Sequence, residues 1–117
     1  MKMSTEKRAH ERIPLDMEIT ILKFNTTYSG TLKNISQNGM YIETDKKPLQ
    51  GNSEFDLHLT FKAKLKVFIT FNHNTFEVPV LVKRLVEDRS PFIGMGVMLL
   101  NWSRSYWDFV DSLNPTN

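Results

Sequence analysis

The stretch that decides the fold is Asn34-Ile-Ser-Gln-Asn-Gly-Met-Tyr-Ile-Glu-Thr44. Its first half is dense in Asn, Ser and Gly, which favour turns because they accept backbone conformations that other residues avoid. Its second half alternates the apolar Met40 and Ile42 with Tyr41 and Glu43, and a period of two is typical of a half-buried strand. The stretch therefore predicts a turn, from Asn34 to Gly39, that leads into a β-strand.

The same alternation recurs on both sides of this stretch. Predicted strands begin at Met17, Tyr28, Met40, Phe55, Phe76 and Phe92, with turns at 25–27, 72–74 and 88–91 between them. Pro79 cannot donate to a ladder, so its strand is expected at a sheet edge or with a bulge. The alternating Lys62, Lys64 and Lys66 predict the wet face of a strand, which would also protect an edge from pairing.

The carboxyl end changes to a helical period. Tyr106, Phe109, Val110 and Leu113 are spaced i, i+3, i+4 and i+7, and Ser103 is a suitable N-cap. This spacing predicts an amphipathic helix at about 103–113 that covers one end of a sheet. Trp102 and Trp107 are assigned to the core or to helix packing.

Short strands at regular intervals followed by one helix predict a mainly β fold, a small antiparallel barrel of six to seven strands with a C-terminal α-helix. Residues 1–12 are polar without apolar periodicity, and we interpret them as a flexible N-terminal arm. Residues 13–117 would then form the barrel domain.

The composition of the chain excludes several classes of protein and of site. The chain has 117 residues with 40% hydrophobic and 24% charged content, which fits one globular domain. It has no cysteine, so disulfides and thiolate sites are excluded. No stretch is long enough for a membrane helix, and the first residues lack the apolar core of a signal peptide, so we expect a cytoplasmic protein without membrane insertion. A net charge of only +2 makes general nucleic-acid binding an unlikely role.

Two polar patterns suggest a ligand site. Arg8 and Arg12 form an RxxxR spacing, and Asn34, Ser36 and Gly39 form an NxSxxG spacing. An arginine fork matches both the O6 and N7 acceptors of guanine and the oxygens of a phosphate. The Asn and Ser side chains can hydrogen-bond a base edge or a phosphate, and Gly lets a ligand approach the backbone closely.

These five residues, in this order at the front of a β-rich chain, resemble the PilZ domain, a bacterial receptor family for the second messenger cyclic di-GMP. The resemblance covers most of the chain. It implies that the NxSxxG residues line a ligand surface on a PilZ-type barrel while the arginine arm folds over it. It also implies a single-domain receptor or adaptor that changes conformation on binding and signals to an effector protein not yet identified, in motility, polysaccharide or a related output.

The resemblance makes Arg8, Arg12, Asn34, Ser36 and Gly39 the expected cyclic di-GMP ligands. Candidate further contacts are Lys7, His10 and Arg84. A solvated lysine explains Lys7 equally well, and a surface salt bridge is the favoured interpretation of Arg84. The family often carries Asp where this chain has Asn34, which keeps the carbonyl acceptor and loses the charge. Partner, ligand stoichiometry and oligomeric state are left open by the sequence.

Other functions fit the residues less well. The three histidines lack metal-ligand spacing, Ser36 has no nucleophile elbow, and no phosphate-binding loop occurs, so we expect no catalysis, no metal and no cofactor other than the regulatory ligand. One alternative is a PilZ-like protein-interaction module that does not bind nucleotide. Another is a small barrel that binds single-stranded nucleic acid through aromatic and lysine side chains.

Overall fold

A computed structural model describes residues 12–46, 49, 62–87 and 91–113. Within them the chain forms six strands and one helix. They are β1 (Ile13–Lys23), β2 (Thr26–Ile35), β3 (Gly39–Asp45), β4 (Lys64–Phe71), β5 (Asn74–Glu87), β6 (Phe92–Leu99) and α1 (Arg104–Leu113).

The strands close into a barrel in the order β1-β2-β3-β6-β5-β4. Two three-stranded meanders, β1–β3 and β4–β6, are joined at one seam by β3 and β6 and at the other by β1 and β4, and every pair is antiparallel. The predicted antiparallel barrel with a C-terminal helix is confirmed. The strand predicted to begin at Phe55 lies outside the described residues.

Alternating side chains fill the barrel interior. On β4, Leu65, Val67 and Ile69 are buried, while Lys64 and Lys66 between them are exposed. The lysine row is therefore the wet face of a strand, as predicted. Its expected role at a sheet edge is wrong, because β4 pairs with both β1 and β5 in the closed barrel.

Pro79 lies within the barrel wall, at neither an edge nor the bulge of its strand. It pairs with Lys66 on β4, and its carbonyl accepts a hydrogen bond from the Leu100 N–H. The N–H and C=O of a strand residue point to the same neighbour, so the missing donor of Pro79 faces the point where β6 has just ended at Leu99. A proline fits there because no ladder acceptor requires its N–H.

Helix α1 covers one end of the barrel. Tyr106, Phe109 and Val110 are buried, and the Phe109 ring packs edge-on against Phe71 and Phe76, with ring centroids 5.0 and 6.2 Å apart. Trp102, just before α1, and Trp107, within it, are 67% and 38% exposed. Of their two predicted assignments, core or helix packing, the core is therefore wrong. Trp102 precedes the buried helical positions and Trp107 lies between two of them, Tyr106 and Phe109.

Several element boundaries differ from those predicted. The first turn is Phe24 and Asn25, since Lys23 pairs with Thr26 and leaves only two residues between the strands. Strand β2 continues to Ile35, so the predicted 34–39 turn is shorter and begins only at Ser36. The turn at 72–74 is confirmed in position, with Asn72 and His73 both at positive φ.

Candidate ligand-binding site

A surface cavity of about 480 Å³ opens beside the Ser36–Gly39 turn, where β2 ends and β3 begins. Residues from β2, β3, β5 and β6, together with the residue that precedes β1, contribute to its wall. The lining residues are Arg12, Asn34, Ser36, Asn38, Gly39, Tyr41, Lys83, Arg84, Gly96, Val97 and Met98.

Arg12 and Asn34 are joined directly across the first two strands. The Arg12 guanidinium donates from Nη1 to Asn34 Oδ1 at 2.7 Å. The register places Pro14 opposite Asn34, so Arg12, two residues before Pro14, reaches the same end of the barrel. An amide oxygen has a second lone pair and the guanidinium has further N–H groups, so both can also bind a ligand.

The turn itself is held by Ser36 rather than by Asn34. The Ser36 N–H donates to the Gly39 carbonyl at 2.9 Å, which closes the turn. The Ser36 hydroxyl oxygen accepts from the Asn38 N–H at 3.3 Å and lies 3.4 Å from the Gly39 carbonyl. The Asn34 side chain, at the start of the predicted turn, accepts from Arg12 instead. Both Ser36 hydroxyl contacts are long, so a ligand atom could replace them at little cost.

Tyr106 supports the turn from inside the barrel. Its hydroxyl lies 2.6 Å from the Ser36 carbonyl oxygen and 2.9 Å from that of Gly39. Burial raises the pKa of the Tyr106 phenol well above its usual range, and the nearby positive charge of Arg12 lowers it by a smaller amount. The phenol is therefore a neutral hydrogen-bond donor at physiological pH.

Gly39 is required by a close approach of strand β6. A Cβ built on Gly39 would lie 2.2 Å from the Val97 carbonyl oxygen and 3.2 Å from the Met98 Cα. These atoms belong to the backbone and cannot rotate away. The sequence interpretation gave Gly39 a ligand-facing reason, whereas the structure adds a packing reason that is sufficient by itself.

A bulge in β5 places two cations side by side at the cavity. The register shifts between Val82 and Arg84, so Lys83 and Arg84 are both exposed although they are consecutive. The Arg84 guanidinium lies over the Tyr41 ring, 5.9 Å from its centroid, within range of a cation–π interaction. The sequence interpretation considered Arg84 and missed Lys83, because strict alternation would have turned one of the two inward.

The wall of the cavity is positively charged. It carries three basic side chains, Arg12, Lys83 and Arg84, and no carboxylate stands among its described lining residues. Amide, hydroxyl and backbone groups of Asn34, Ser36 and Asn38 lie beside them. This combination suits an anionic ligand that also presents hydrogen-bonding edges.

The structure brings together most of the residues that the sequence nominated. Arg12, Asn34, Ser36, Gly39 and Arg84 line one cavity. The other nominated residues, Lys7, Arg8 and His10, lie outside the described residues. Sequence reasoning missed six lining residues, namely Asn38, Tyr41, Lys83, Gly96, Val97 and Met98. Asn38 lies in the predicted turn, and for the five on strands the only signal was their alternation along the strand.

Comparison with known families places these features in context. The sequence pattern of the PilZ domain matches residues 6–106, which contain the whole barrel and the start of α1. The chain belongs to the PilZ domain family. PilZ domains are in general receptors for cyclic di-GMP and act as binding or adaptor modules rather than as enzymes. No match to a curated protein was found.

Metal sites and membrane-spanning helices are two other features of a PilZ domain that bear on its function. No group of three or more His, Cys, Asp or Glu side chains in the described part of the chain is arranged to hold a metal ion. Of the helices formed by residues 12–46, 49, 62–87 and 91–113, none has the length and apolar character needed to cross a membrane.

Proposed function

We propose that this PilZ domain is a cyclic di-GMP receptor whose ligand occupies the cavity beside the Ser36–Gly39 turn. The observation that carries the proposal is the convergence of Arg12, Lys83 and Arg84 on a cavity whose described lining has no carboxylate. Cyclic di-GMP presents two phosphates and two guanines, so it offers both the charge and the acceptor edges that these cations match.

The contact between Arg12 and Asn34 supports the proposal in a second way. It holds the guanidinium at the cavity before any ligand arrives, so less side-chain freedom is lost when a guanine or phosphate binds. Asn34 retains a free amide edge that can pair with a guanine. A bidentate arginine contact to guanine contributes about 1–3 kcal/mol.

We propose Arg8, in the N-terminal arm, as a second arginine that contacts cyclic di-GMP. Lys7 and His10 are candidate further contacts beside it. Micromolar affinity requires about 8 kcal/mol, more than one or two arginines supply. The preformed wall of Asn34, Ser36 and Lys83 would provide the remainder. Closure of the arm over bound nucleotide would create a new surface, and we propose that an effector protein recognises that surface.

Isothermal titration calorimetry of the full chain with cyclic di-GMP tests this function and reports the stoichiometry. Wild type should release or absorb heat with saturable binding, and Arg12→Ala should weaken binding about tenfold or more, in line with the loss of a bidentate contact. Arg104→Ala is the matched control, because Arg104 is an exposed arginine on α1 that pairs only with Asp108 among the described residues.

Unchanged affinity in Arg104→Ala with a large loss in Arg12→Ala would support the site. Absence of saturable binding by wild type, with no thermal shift at high nucleotide concentration, would reject the receptor function. The alternative of a nucleotide-independent interaction module would then be favoured.

A further inference from the structure

The hydroxyl of Tyr106 joins the C-terminal helix to the ligand-site turn across about seventy residues of sequence. Its side chain is 1% exposed, so its polar atom must find partners inside the protein. The partners are the carbonyls of Ser36 and Gly39, at 2.6 and 2.9 Å. These two carbonyls mark the beginning and the end of the turn.

One hydroxyl hydrogen shared between two carbonyls fixes the distance between them. The Gly39 carbonyl already accepts the Ser36 N–H that closes the turn, so the phenol adds a second donor to the same oxygen. Without the phenol, the Ser36 carbonyl would lose a short buried hydrogen bond. The turn would then keep its Ser36–Gly39 backbone contact, the two long contacts of the Ser36 hydroxyl, and the bond from the Leu99 N–H to the Asn38 carbonyl.

The same turn presents groups to the cavity. Ser36, Asn38 and Gly39 line it, and the Arg12 charge reaches Tyr106 from the other side. The phenol therefore lies directly beneath the ligand wall without itself being one of the lining residues. Its effect on a ligand must pass through the turn.

We propose that Tyr106 is a positioning residue of the ligand site, and that its hydroxyl makes the docking of α1 and the occupation of the cavity depend on one another. This inference rests on the proposed function. Coupling between two sites is reciprocal, so if docked α1 favours the ligand-receiving turn, ligand must favour docked α1. Binding of ligand in the cavity would then change how firmly α1 is docked, and a partner could detect this at the outer face of α1, where Trp107 and Asp108 are exposed.

The test is Tyr106→Phe, which keeps the ring that packs in the core and removes only the oxygen. We expect the Kd for cyclic di-GMP to rise about tenfold. The net contribution of one buried hydrogen bond to a free energy corresponds to roughly a tenfold change in an equilibrium constant. Hydrogen exchange followed by mass spectrometry should show faster exchange at the 36–39 turn in the free variant. Ligand should slow exchange in α1 of wild type, and this protection should be lost in the variant.

Tyr28→Phe is the matched control. Tyr28 is equally buried, but it lies seven residues before the end of β2, roughly 23 Å along the strand from the turn. Its substitution should leave both the Kd and the ligand-dependent protection of α1 unchanged. A purely structural role for Tyr106 predicts the same behaviour in both variants.

The outcomes separate this inference from the proposed function. Failure of wild type to bind cyclic di-GMP would reject the receptor function, whereas faster turn exchange in Tyr106→Phe would still establish the support given by the phenol. If wild type binds and Tyr106→Phe binds equally tightly, or if turn exchange is unchanged, the positioning role is refuted.

Discussion

Gly39 shows how one residue serves both the barrel and the ligand site. The Val97 carbonyl fills the space where a side chain would begin, so β3 and β6 can meet closely only at a glycine. Gly39 is also one of the lining residues of the cavity. Packing against β6 by itself therefore requires glycine at this position of the ligand site.

Substitution of Gly39 tests this account. We expect Gly39→Ala to lower the free energy of unfolding by about 1–3 kcal/mol, because the new methyl group meets backbone atoms that cannot move independently. Gly96→Ala is the control, since its Cβ would lie 3.6 Å from the Arg84 Cβ, an ordinary contact. Urea denaturation should show a much smaller change for Gly96→Ala. Equal effects in the two variants would contradict the packing explanation.

Lys83 is the residue of the cavity for which the sequence gave least warning. If it contributes charge to a phosphate, Lys83→Gln should weaken cyclic di-GMP binding several-fold and reduce the dependence of affinity on salt concentration. Lys66→Gln is a matched control, because Lys66 lies on β4 and pairs with Glu77 at 3.5 Å. Calorimetric titrations at two salt concentrations provide the measurement. A salt dependence unchanged in Lys83→Gln would remove this lysine from the site.

At the scale of elements, three bulges shape the cavity. They interrupt the ladders between Pro14 and Met17, between Leu32 and Asn34, and between Val82 and Arg84. Bulges bend a strand and redirect its side chains, and they are frequent next to functional sites. Here they redirect the residues that line the cavity on β2 and β5.

Two of these bulges are linked to each other. Asp16 and Lys33 lie within the interrupted parts of β1 and β2, and their side chains form an ion pair at 3.0 Å. The hydrogen bond that the Lys33 ammonium donates to the Asp16 carboxylate is the main reason that the pKa of Lys33 is raised. Exposed pairs of this kind contribute little to stability, so we regard the pair as a marker of register rather than as a major source of stability.

Helix α1 depends for local stability on Ser103, the residue that precedes it. The Ser103 hydroxyl accepts from the Tyr106 N–H at 3.2 Å, which is the predicted N-cap. Ser103→Ala should therefore lower the free energy of unfolding by about 1 kcal/mol. Ser105→Ala, two residues further along and exposed within the first turn, should be neutral or slightly stabilising because Ala favours helices. Thermal unfolding of both variants distinguishes capping from a general effect of losing a hydroxyl.

At the scale of the whole molecule, closure of the barrel brings distant segments to one cavity. Arg12 precedes the first strand and Arg84 lies in the fifth, yet both line the same wall. They are connected around the barrel by four successive antiparallel strand pairs: β1–β2, β2–β3, β3–β6 and β6–β5. The ligand site is thus a property of the closed barrel and not of any hairpin alone.

Global stability should also depend on alkaline pH through Tyr106. Its pKa is raised in the folded state by burial, so the folded protein retains the phenolic proton after the unfolded chain has lost it. The stabilisation is complete below the unfolded pKa of about 10 and decreases above it, by about 1.4 kcal/mol per pH unit. Urea unfolding between pH 9 and about 11 should show a steeper loss for wild type than for Tyr106→Phe. Parallel pH profiles would contradict this prediction.

The sequence by itself determined the β fold, the amphipathic helix with its Ser103 cap, and the nomination of Arg12, Asn34, Ser36 and Gly39. These follow from local signals, since a period of two, a turn composition or a capping hydroxyl is expressed within a few consecutive residues. The lysine spacing also correctly predicted the exposed face of β4, and only its expected role at a sheet edge is wrong.

Only the tertiary structure decided that Pro79 lies inside the wall, that Lys83 and Arg84 both face the cavity, and that Tyr106 supports the turn. Each depends on which strands become neighbours and where a ladder loses register. Those outcomes are set by how all six strands pack around one core, so no short stretch of sequence contains them.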